Sequence, residues 1–272
     1  MKISISLHGE ILNDIDMKKH IPNLITSMNA ISGALAVGMA MYGELSLAAI
    51  CILAGMVFDF FDGMVARLLH VKSELGKELD SLADVLSFGI APAVLAHCLI
   101  VEVLPGGDIG YWKEWGWGER LLALLPLLIP AFSVYRLAKF NLDVRQTMSF
   151  IGMPVPAHAL FWIGLVWGKN WSADLYGALF GNAWVLGICV VILSLLLVSE
   201  LPMFSLKVTG LGWQGNKIRY IYFLVLVLFA CFLGRSVVFF VIPLYILFAL
   251  VAFFSSLNQQ QDHNQHSHNQ VK

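Results

Sequence analysis

Long apolar segments recur along the whole chain and are separated by short polar stretches. A helix needs about 20 mostly apolar residues to cross the hydrocarbon core of a bilayer, and eight segments approach or exceed that length. They are residues 22–43, 46–68, 80–104, 120–139, 154–168, 175–198, 218–234 and 236–255. This pattern predicts an all-α fold, a polytopic membrane helical bundle of about eight transmembrane helices.

The two ends of the chain differ from this apolar middle. Residues 1–20 are mixed and polar, and residues 258–272 (NQQQDHNQHSHNQVK) are a polar stretch of low complexity. We therefore predict a cytoplasmic lead-in over 1–20, one membrane-embedded domain over 21–257, and a disordered tail over 258–272.

Composition and charge narrow the classes of function. The chain is 58% apolar and only 13% charged, whereas a soluble domain is about 25% charged. The net charge of −1 offers no basic excess for nucleic acid, so no nucleic-acid partner is expected. With both termini placed in the cytoplasm, 13 of the 17 lysines and arginines fall on that side. This bias predicts an integral membrane protein oriented by the positive-inside rule.

Four aspartates stand in one window of 26 residues inside or at the edge of two predicted spans: Asp59, Asp62, Asp80 and Asp84. Each carboxylate would cost roughly 2.5 kcal/mol or more at a bilayer centre. The first two are three residues apart and the last two are four apart, so each pair shares one helix face. Because the loop between them is short, we expect antiparallel neighbouring helices and a shared cavity. Divalent cations relieve the repulsion, and oxygen ligands favour Mg2+, Mn2+ or Ca2+.

Small residues and one arginine accompany these carboxylates. Gly63, Ala66 and Gly76 would let a bulky polar ligand approach the backbone, and Arg67 offers a fork suited to phosphate. The combination indicates a pyrophosphate site. Taken alone, Arg67 could equally be a membrane-surface anchor.

Residues 59–84 read D-x2-D-G-x2-A-R-x8-G-x3-D-x3-D. This pattern resembles the signature of the CDP-alcohol phosphatidyltransferase family of integral membrane enzymes. Further stretches are similar to its phosphatidylserine synthase branch, the CDP-diacylglycerol–serine O-phosphatidyltransferases. These are residues 21–26 with Asn29 and Gly33, and residues 81–92, 136–141 and 150–157. His158 departs from the pattern, where a small residue is expected.

The resemblance implies a six-helix catalytic core with extra C-terminal spans, a homodimer, and a cavity open to the cytoplasm of a bacterial or archaeal cell. It implies two divalent cations, Mg2+ or Mn2+, with Ca2+ as a possible bound ion. Asp59, Asp62 and Asp80 would hold one, and Asp62, Asp80 and Asp84 the other. It also assigns Asp84 as the general base.

The same resemblance implies a binding site for CDP-diacylglycerol. Its expected lining residues are Gly63, Ala66, Arg67 and Gly76, with Asn23 and Thr26 from the first span. The expected reaction transfers the phosphatidyl group from this donor to L-serine, giving phosphatidylserine and CMP.

The acceptor site must recognise a carboxylate and an ammonium group. We predict that Arg136 contacts the serine carboxylate or a substrate phosphate, with Lys139 and Asn141 nearby at the end of the fourth span. Positive-inside anchoring is the alternative for both basic residues. The alternatives for the whole protein are another acceptor (glycerol 3-phosphate, an inositol or its phosphate, or choline) and a divalent-cation transporter.

Overall fold

The computed structural model describes residues 2–71, 73–142, 150–203 and 213–254. Within these residues the fold is all-α apart from one short strand pair, as predicted. The helices are α1 (Lys2–Met41), α2 (Leu45–Leu68), α3 (Glu74–Asp84), α4 (Ala91–Val103), α5 (Trp117–Leu124), α6 (Leu128–Leu142), α7 (Val155–Trp171), α8 (Ala173–Phe180), α9 (Ala183–Val198), α10 (Trp213–Leu233) and α11 (Val241–Phe254). Strand β1 (Phe150–Ile151) pairs antiparallel with β2 (Pro202–Met203).

Five continuous helical segments are long and apolar enough to cross a bilayer, so the chain is an integral membrane protein. They are His20–Met41, Leu45–Leu68, Glu74–Val103, Trp117–Leu142 and Asn216–Phe239. Helices α8 and α9 would make a sixth span together, although they meet at a bend of 74°. By this measure the described residues hold five or six candidate spans, and the shorter helices α7 and α11 correspond to the other two of the eight predicted segments. Helix α7 has only 17 residues, about 25 Å at 1.5 Å per residue, and α11 is also short.

The N-terminal segment is continuous with the first span. Helix α1 runs from Lys2 to Met41 and passes through Pro22 without a break. The predicted lead-in over 1–20 is therefore helical from Lys2 onwards and is not a separate element. The predicted tail over 258–272 lies outside the described residues, and the three domain boundaries stay predictions.

A π-helical turn, Val85–Ile90, joins α3 to α4 directly after Asp84. Glycines allow neighbouring helices to approach this turn closely. A Cβ added at Gly33 of α1 would lie 2.7 Å from the Ser87 Cα, and one added at Gly89 would lie 3.2 Å from the Ser133 Cβ of α6. The turn is therefore held between α1 and α6 by contacts that leave no space for larger side chains.

Helices α2 and α3 separate at the end of the bundle that carries the aspartates. The α3 segment packs chiefly against α1, whereas α2 packs against α1 and against the later part of the third span. The second and third spans are therefore neighbours, as predicted, through α2 and the later part of the third span. At the aspartate end α1 contacts both α2 and α3, and the space between the three helices is a cavity. The apolar core, with residues such as Trp162 and Leu95, lies further along the bundle.

Candidate active site

A cavity of about 360 Å³ lies between α1, α2 and α3. Most of the residues predicted to bind CDP-diacylglycerol line it, together with two of the aspartates. The lining residues are Pro22, Asn23, Thr26, Asp62, Gly63, Ala66, Val71, Ser73, Glu74, Gly76, Lys77 and Asp80. The structure therefore brings together residues that are more than 50 positions apart in the chain, and it does so in one polar pocket.

Three of the predicted metal ligands form a close cluster. Asp59, Asp62 and Asp80 each contribute one carboxylate oxygen, and these oxygens lie within 4.8 Å of one another. The i, i+3 spacing puts the first two on one face of α2, as predicted. Asp62 is only 6% exposed, and the Thr26 hydroxyl donates to its Oδ2 at 2.6 Å. Helix α1 thereby fixes the orientation of an acidic group that belongs to α2.

This cluster suits a hard divalent cation. The ligand atoms are carboxylate oxygens, the donor type that Mg2+, Mn2+ and Ca2+ prefer. The Oδ1 atom of Asp80 is buried and has no hydrogen-bond partner within the described residues. Because a buried polar atom normally has a partner, this oxygen is consistent with a ligand position. The donor set and the unsatisfied oxygen thus fit a metal site.

Asp84 lies one helical turn further along α3 and is outside the cluster of three. It is close enough to Asp59, Asp80 and Arg136 to interact with them electrostatically. Asn29 of α1 donates its Nδ2 hydrogen to Asp84 Oδ1 at 3.4 Å. The four predicted carboxylates therefore share one region, but three of them are tightly grouped and the fourth has a different set of neighbours.

Gly63 and Gly76 leave the wall of the cavity open. A Cβ built on Gly63 would meet no atom closer than 4.0 Å, so a side chain there would occupy the cavity itself. A Cβ on Gly76 would lie 2.9 Å from Asn23 Oδ1. Ser73 caps α3 by accepting a hydrogen bond from the Gly76 amide at 3.1 Å. A side chain at Gly63 would thus take up space in the cavity, and one at Gly76 would displace the Asn23 side chain.

Arg67 does not line the cavity. Its side chain is exposed, and its Nε donates to the Gly63 carbonyl oxygen one turn earlier at 2.8 Å. Its predicted role in binding the donor stays a prediction. The hydrogen bond engages Nε, and Nη2 lies 4.0 Å from the position of a Cβ built on Gly63, at the cavity wall.

The three residues predicted for the acceptor have different surroundings. Arg136 is 8% exposed and stacks over the Phe140 ring at 5.3 Å, near Asp84. Lys139 forms an ion pair with Glu200 at 3.4 Å. Asn141 donates to the Ser81 hydroxyl at 2.8 Å and thereby ties the end of α6 to α3. Of the three, Arg136 is the residue that interacts electrostatically with one of the aspartates, Asp84.

Two residues at the site were missed by the sequence analysis as functional candidates. Lys77 lines the cavity and donates to the Asn141 carbonyl oxygen at 3.2 Å. Asn29 contacts Asp84 although it is fully buried. The signal for Asn29 was its polar side chain in an apolar span, three residues after Thr26 and so on the same helix face.

The family profile that matches the chain and the known proteins that resemble it agree with each other. The sequence profile described as CDP-alcohol phosphatidyltransferase matches residues 19–196. The chain is 39% identical over 137 residues to a CDP-diacylglycerol–serine O-phosphatidyltransferase of Bacillus subtilis, covering 50% of this chain and 70% of that protein. It is 32% identical over 195 residues to the enzyme of the same name from Mycobacterium leprae, covering 67% of this chain and 57% of that protein.

An archaeal relative is also similar. An archaetidylserine synthase of Methanothermobacter thermautotrophicus is 34% identical over 145 residues, covering 52% of this chain and 54% of that protein. The region matched by the family profile contains the aspartates, the cavity and Arg136, whereas α10 and α11 lie beyond it. The chain belongs to the CDP-alcohol phosphatidyltransferase family.

Proposed function

We propose that the protein transfers the phosphatidyl group from CDP-diacylglycerol to L-serine and releases CMP. The observation that carries this proposal is a pocket at one end of a membrane bundle whose walls are the residues of the family signature. The acceptor is supported by the bacterial relatives, whose names specify serine. The archaeal relative is named for a serine product on a different lipid.

The cavity would hold the cytidine diphosphate part of the donor, while the acyl chains remain in the bilayer. Gly63, Ala66 and Gly76 leave space along the wall, and Asn23 and Thr26 add polar groups from α1. Arg67 would approach a phosphate from outside the cavity. Asp59, Asp62, Asp80 and Asp84 would hold two divalent cations, which when bound supply positive charge to the pyrophosphate and to the CMP leaving group.

Asp84 would act as the general base. The serine hydroxyl oxygen attacks the phosphorus on the lipid side, so that a new O–P bond forms and the P–O bond to CMP breaks. The hydroxyl proton passes to Asp84, and CMP leaves with the electron pair of the broken bond. Asp84 is suited to this role because it lies beside the cluster of three carboxylates and outside the lining of the donor cavity.

Arg136 would bind the serine carboxylate, or a substrate phosphate, beside this base. A buried guanidinium needs a counter-charge, and Asp84 is the carboxylate near it. An acceptor carboxylate would add a second one. Lys139 and Asn141 have protein partners in this structure. We therefore propose that they lie at the edge of the acceptor site and contribute less to acceptor binding than Arg136 does.

We also propose an orientation in the membrane, a domain boundary and an oligomeric state. The positive-inside bias supports an active site that opens to the cytoplasm of a bacterial or archaeal cell. We propose one catalytic domain over residues 21–257, working as a homodimer. Crosslinking in native membranes followed by mass measurement tests the homodimer, and labelling of single cysteines from either side of the membrane tests the orientation.

The activity is tested with the purified protein in detergent, supplied with CDP-diacylglycerol, Mg2+ or Mn2+, and one labelled alcohol at a time. We expect CMP release and a labelled lipid with serine, and loss of both after chelation of the metal. Incorporation of glycerol 3-phosphate or inositol in place of serine would contradict the assigned acceptor. Metal flux into proteoliposomes without any CMP release would instead favour a transporter.

A further inference from the structure

Asn29 is a buried polar residue in the middle of α1. Its exposed fraction is 0%, and it lies within the first span. Burying an amide without full hydrogen bonding costs about 1–3 kcal/mol in proteins. A leucine, which has the same branched shape without polar atoms, would avoid this loss. The presence of an amide therefore calls for a role that an apolar side chain cannot fill.

The backbone of Asn29 is fixed to the π-helical turn that follows Asp84. The Ser87 hydroxyl, itself fully buried, donates to the Asn29 carbonyl oxygen at 2.8 Å. One turn further along α1, a Cβ on Gly33 would lie 2.8 Å from the Ser87 backbone nitrogen. The two backbones are therefore in direct contact. Asn29 has little freedom to shift relative to Asp84.

The orientation of the Asn29 amide follows from its neighbours. Its Nδ2 faces Asp84 Oδ1 at 3.4 Å, where an ionised carboxylate can only accept. Its Oδ1 lies on the side of Gly55, where an added Cβ would be 2.9 Å away. This oxygen has no hydrogen-bond partner within the described residues. The amide orientation thus lets Nδ2 contact Asp84 and leaves Oδ1 without a hydrogen bond within the described residues.

We propose that Asn29 is a positioning residue for the general base. By holding one oxygen of Asp84, it leaves the other directed towards the acceptor hydroxyl. This inference rests on the proposed function, because it takes Asp84 to be the base. Asn29 itself contacts neither substrate in this scheme, so its effect on turnover passes entirely through Asp84.

A double-mutant cycle tests this dependence. We expect Asn29→Ala to lower kcat by about 10- to 100-fold, the range found when a supporting partner of a site residue is removed. The KM for CDP-diacylglycerol should change by less than about twofold, because Asn29 does not line the donor cavity. In an Asp84→Asn background, the same substitution should lower the residual kcat by less than about threefold, because the group it positions is already gone.

Two further variants test whether the lower kcat comes from the cavity that Asn29→Ala leaves, or from misfolding. Asn29→Leu keeps the branched shape of the side chain, leaves no cavity, and should repeat the cycle. Ser32→Ala removes another buried hydroxyl of α1, whose only described hydrogen bond is to the Met28 carbonyl of its own helix. This control should leave kcat unchanged.

Equal losses of kcat from Asn29→Ala in the two backgrounds would overturn the inference, and so would a loss that appears in the KM for CDP-diacylglycerol and not in kcat. A failure of the proposed function gives a different result, namely a wild-type protein without serine-dependent CMP release. In that case the cycle is run with the alcohol that does give release. The cycle then tests the positioning role of Asn29 independently of the identity of the acceptor.

Discussion

The two ends of the bundle differ in how their charged side chains are arranged. At the aspartate end, like charges are gathered, and Asp80 keeps a buried oxygen without a partner in the described chain. At the opposite end, where α1, α4 and α7 finish, unlike charges meet. Glu102 accepts from Lys169 in an ion pair there. Arg120 lies 5.6 Å and 5.7 Å from the rings of Trp117 and Trp112, and donates to backbone carbonyls.

Cavity size does not distinguish these ends. The opposite end holds a cavity of about 530 Å³, which is larger than that of the aspartate end, about 360 Å³. Its polar side chains are already satisfied: His97 Nδ1 donates to the Ala123 carbonyl oxygen at 2.7 Å, and Asp108 accepts from the Gly110 amide at 2.5 Å. Within the described residues, the cluster of like charges lies at the aspartate end. That is where a functional site is expected.

The largest expected effect is that of Asp84→Asn, which keeps the shape of the side chain and removes its charge. We expect kcat to fall by about 100- to 10,000-fold, the usual contribution of a general base. Binding of CDP-diacylglycerol should persist, because Asp84 does not line the cavity. CMP release and equilibrium binding of the donor measure the two effects. Asp108→Asn, in the opposite cavity, is the matched control, and full activity in Asp84→Asn would exclude it as the base.

A smaller effect is expected from Thr26→Val, which removes the hydroxyl that donates to Asp62. We expect the affinity for Mn2+ to fall by about 10- to 100-fold, as for other partners that orient a metal ligand. Titration of Mn2+ by calorimetry or electron paramagnetic resonance measures this loss. Thr26→Ser retains the hydroxyl and should restore binding. Unchanged affinity in Thr26→Val would remove Asp62 from the metal site.

A third comparison uses two glycines of α1. Gly33→Ala places a methyl group 2.5 Å from Ser87 Oγ and 2.7 Å from its Cα. We expect the free energy of unfolding to fall by about 1–2 kcal/mol, because overpacking outweighs the gain in helix propensity. Gly38→Ala meets no atom within 4 Å, and should raise stability by up to about 1 kcal/mol. Thermal unfolding in detergent measures both, and equal shifts would contradict the close contact at Gly33.

The smallest effect is expected at the opposite end. Glu102→Gln removes the ion pair with Lys169, and both side chains are partly exposed, 45% and 30% respectively. Such pairs contribute about 0–1 kcal/mol to stability, and serine-dependent CMP release should be unchanged. The same unfolding and activity measurements apply. A loss of activity here would show that the two ends are coupled.

Much of the site was predictable from local spacing. The i, i+3 pair on α2 and the glycines beside it follow from helix periodicity and from the motif, whereas the proximity of Arg136 to Asp84 is seen in the structure alone. Helix packing decides the rest. Spacing along one chain segment could not indicate that α3 diverges from α2 while α1 contacts both, or that Arg67 folds back on Gly63. Each of the eight predicted apolar segments contains helix, but the sequence did not indicate that α7 is short or that α8 meets α9 at a bend of 74°.

The π-helical turn after Asp84 has a consequence for how the protein tolerates change in chain length. Its closing bond, from the Ala91 amide to the Leu86 carbonyl oxygen, encloses one residue more than an α-helical bond does. A residue rotates an α-helix by about 100°, and a residue of this wider turn rotates the chain by less. Deleting one residue between Asp84 and Ala91 would therefore restore regular α-helix with little net rotation of α3 against α4. We expect the chain to tolerate such a deletion better than an insertion at the same place, because the turn already contains one residue more than an α-helix would.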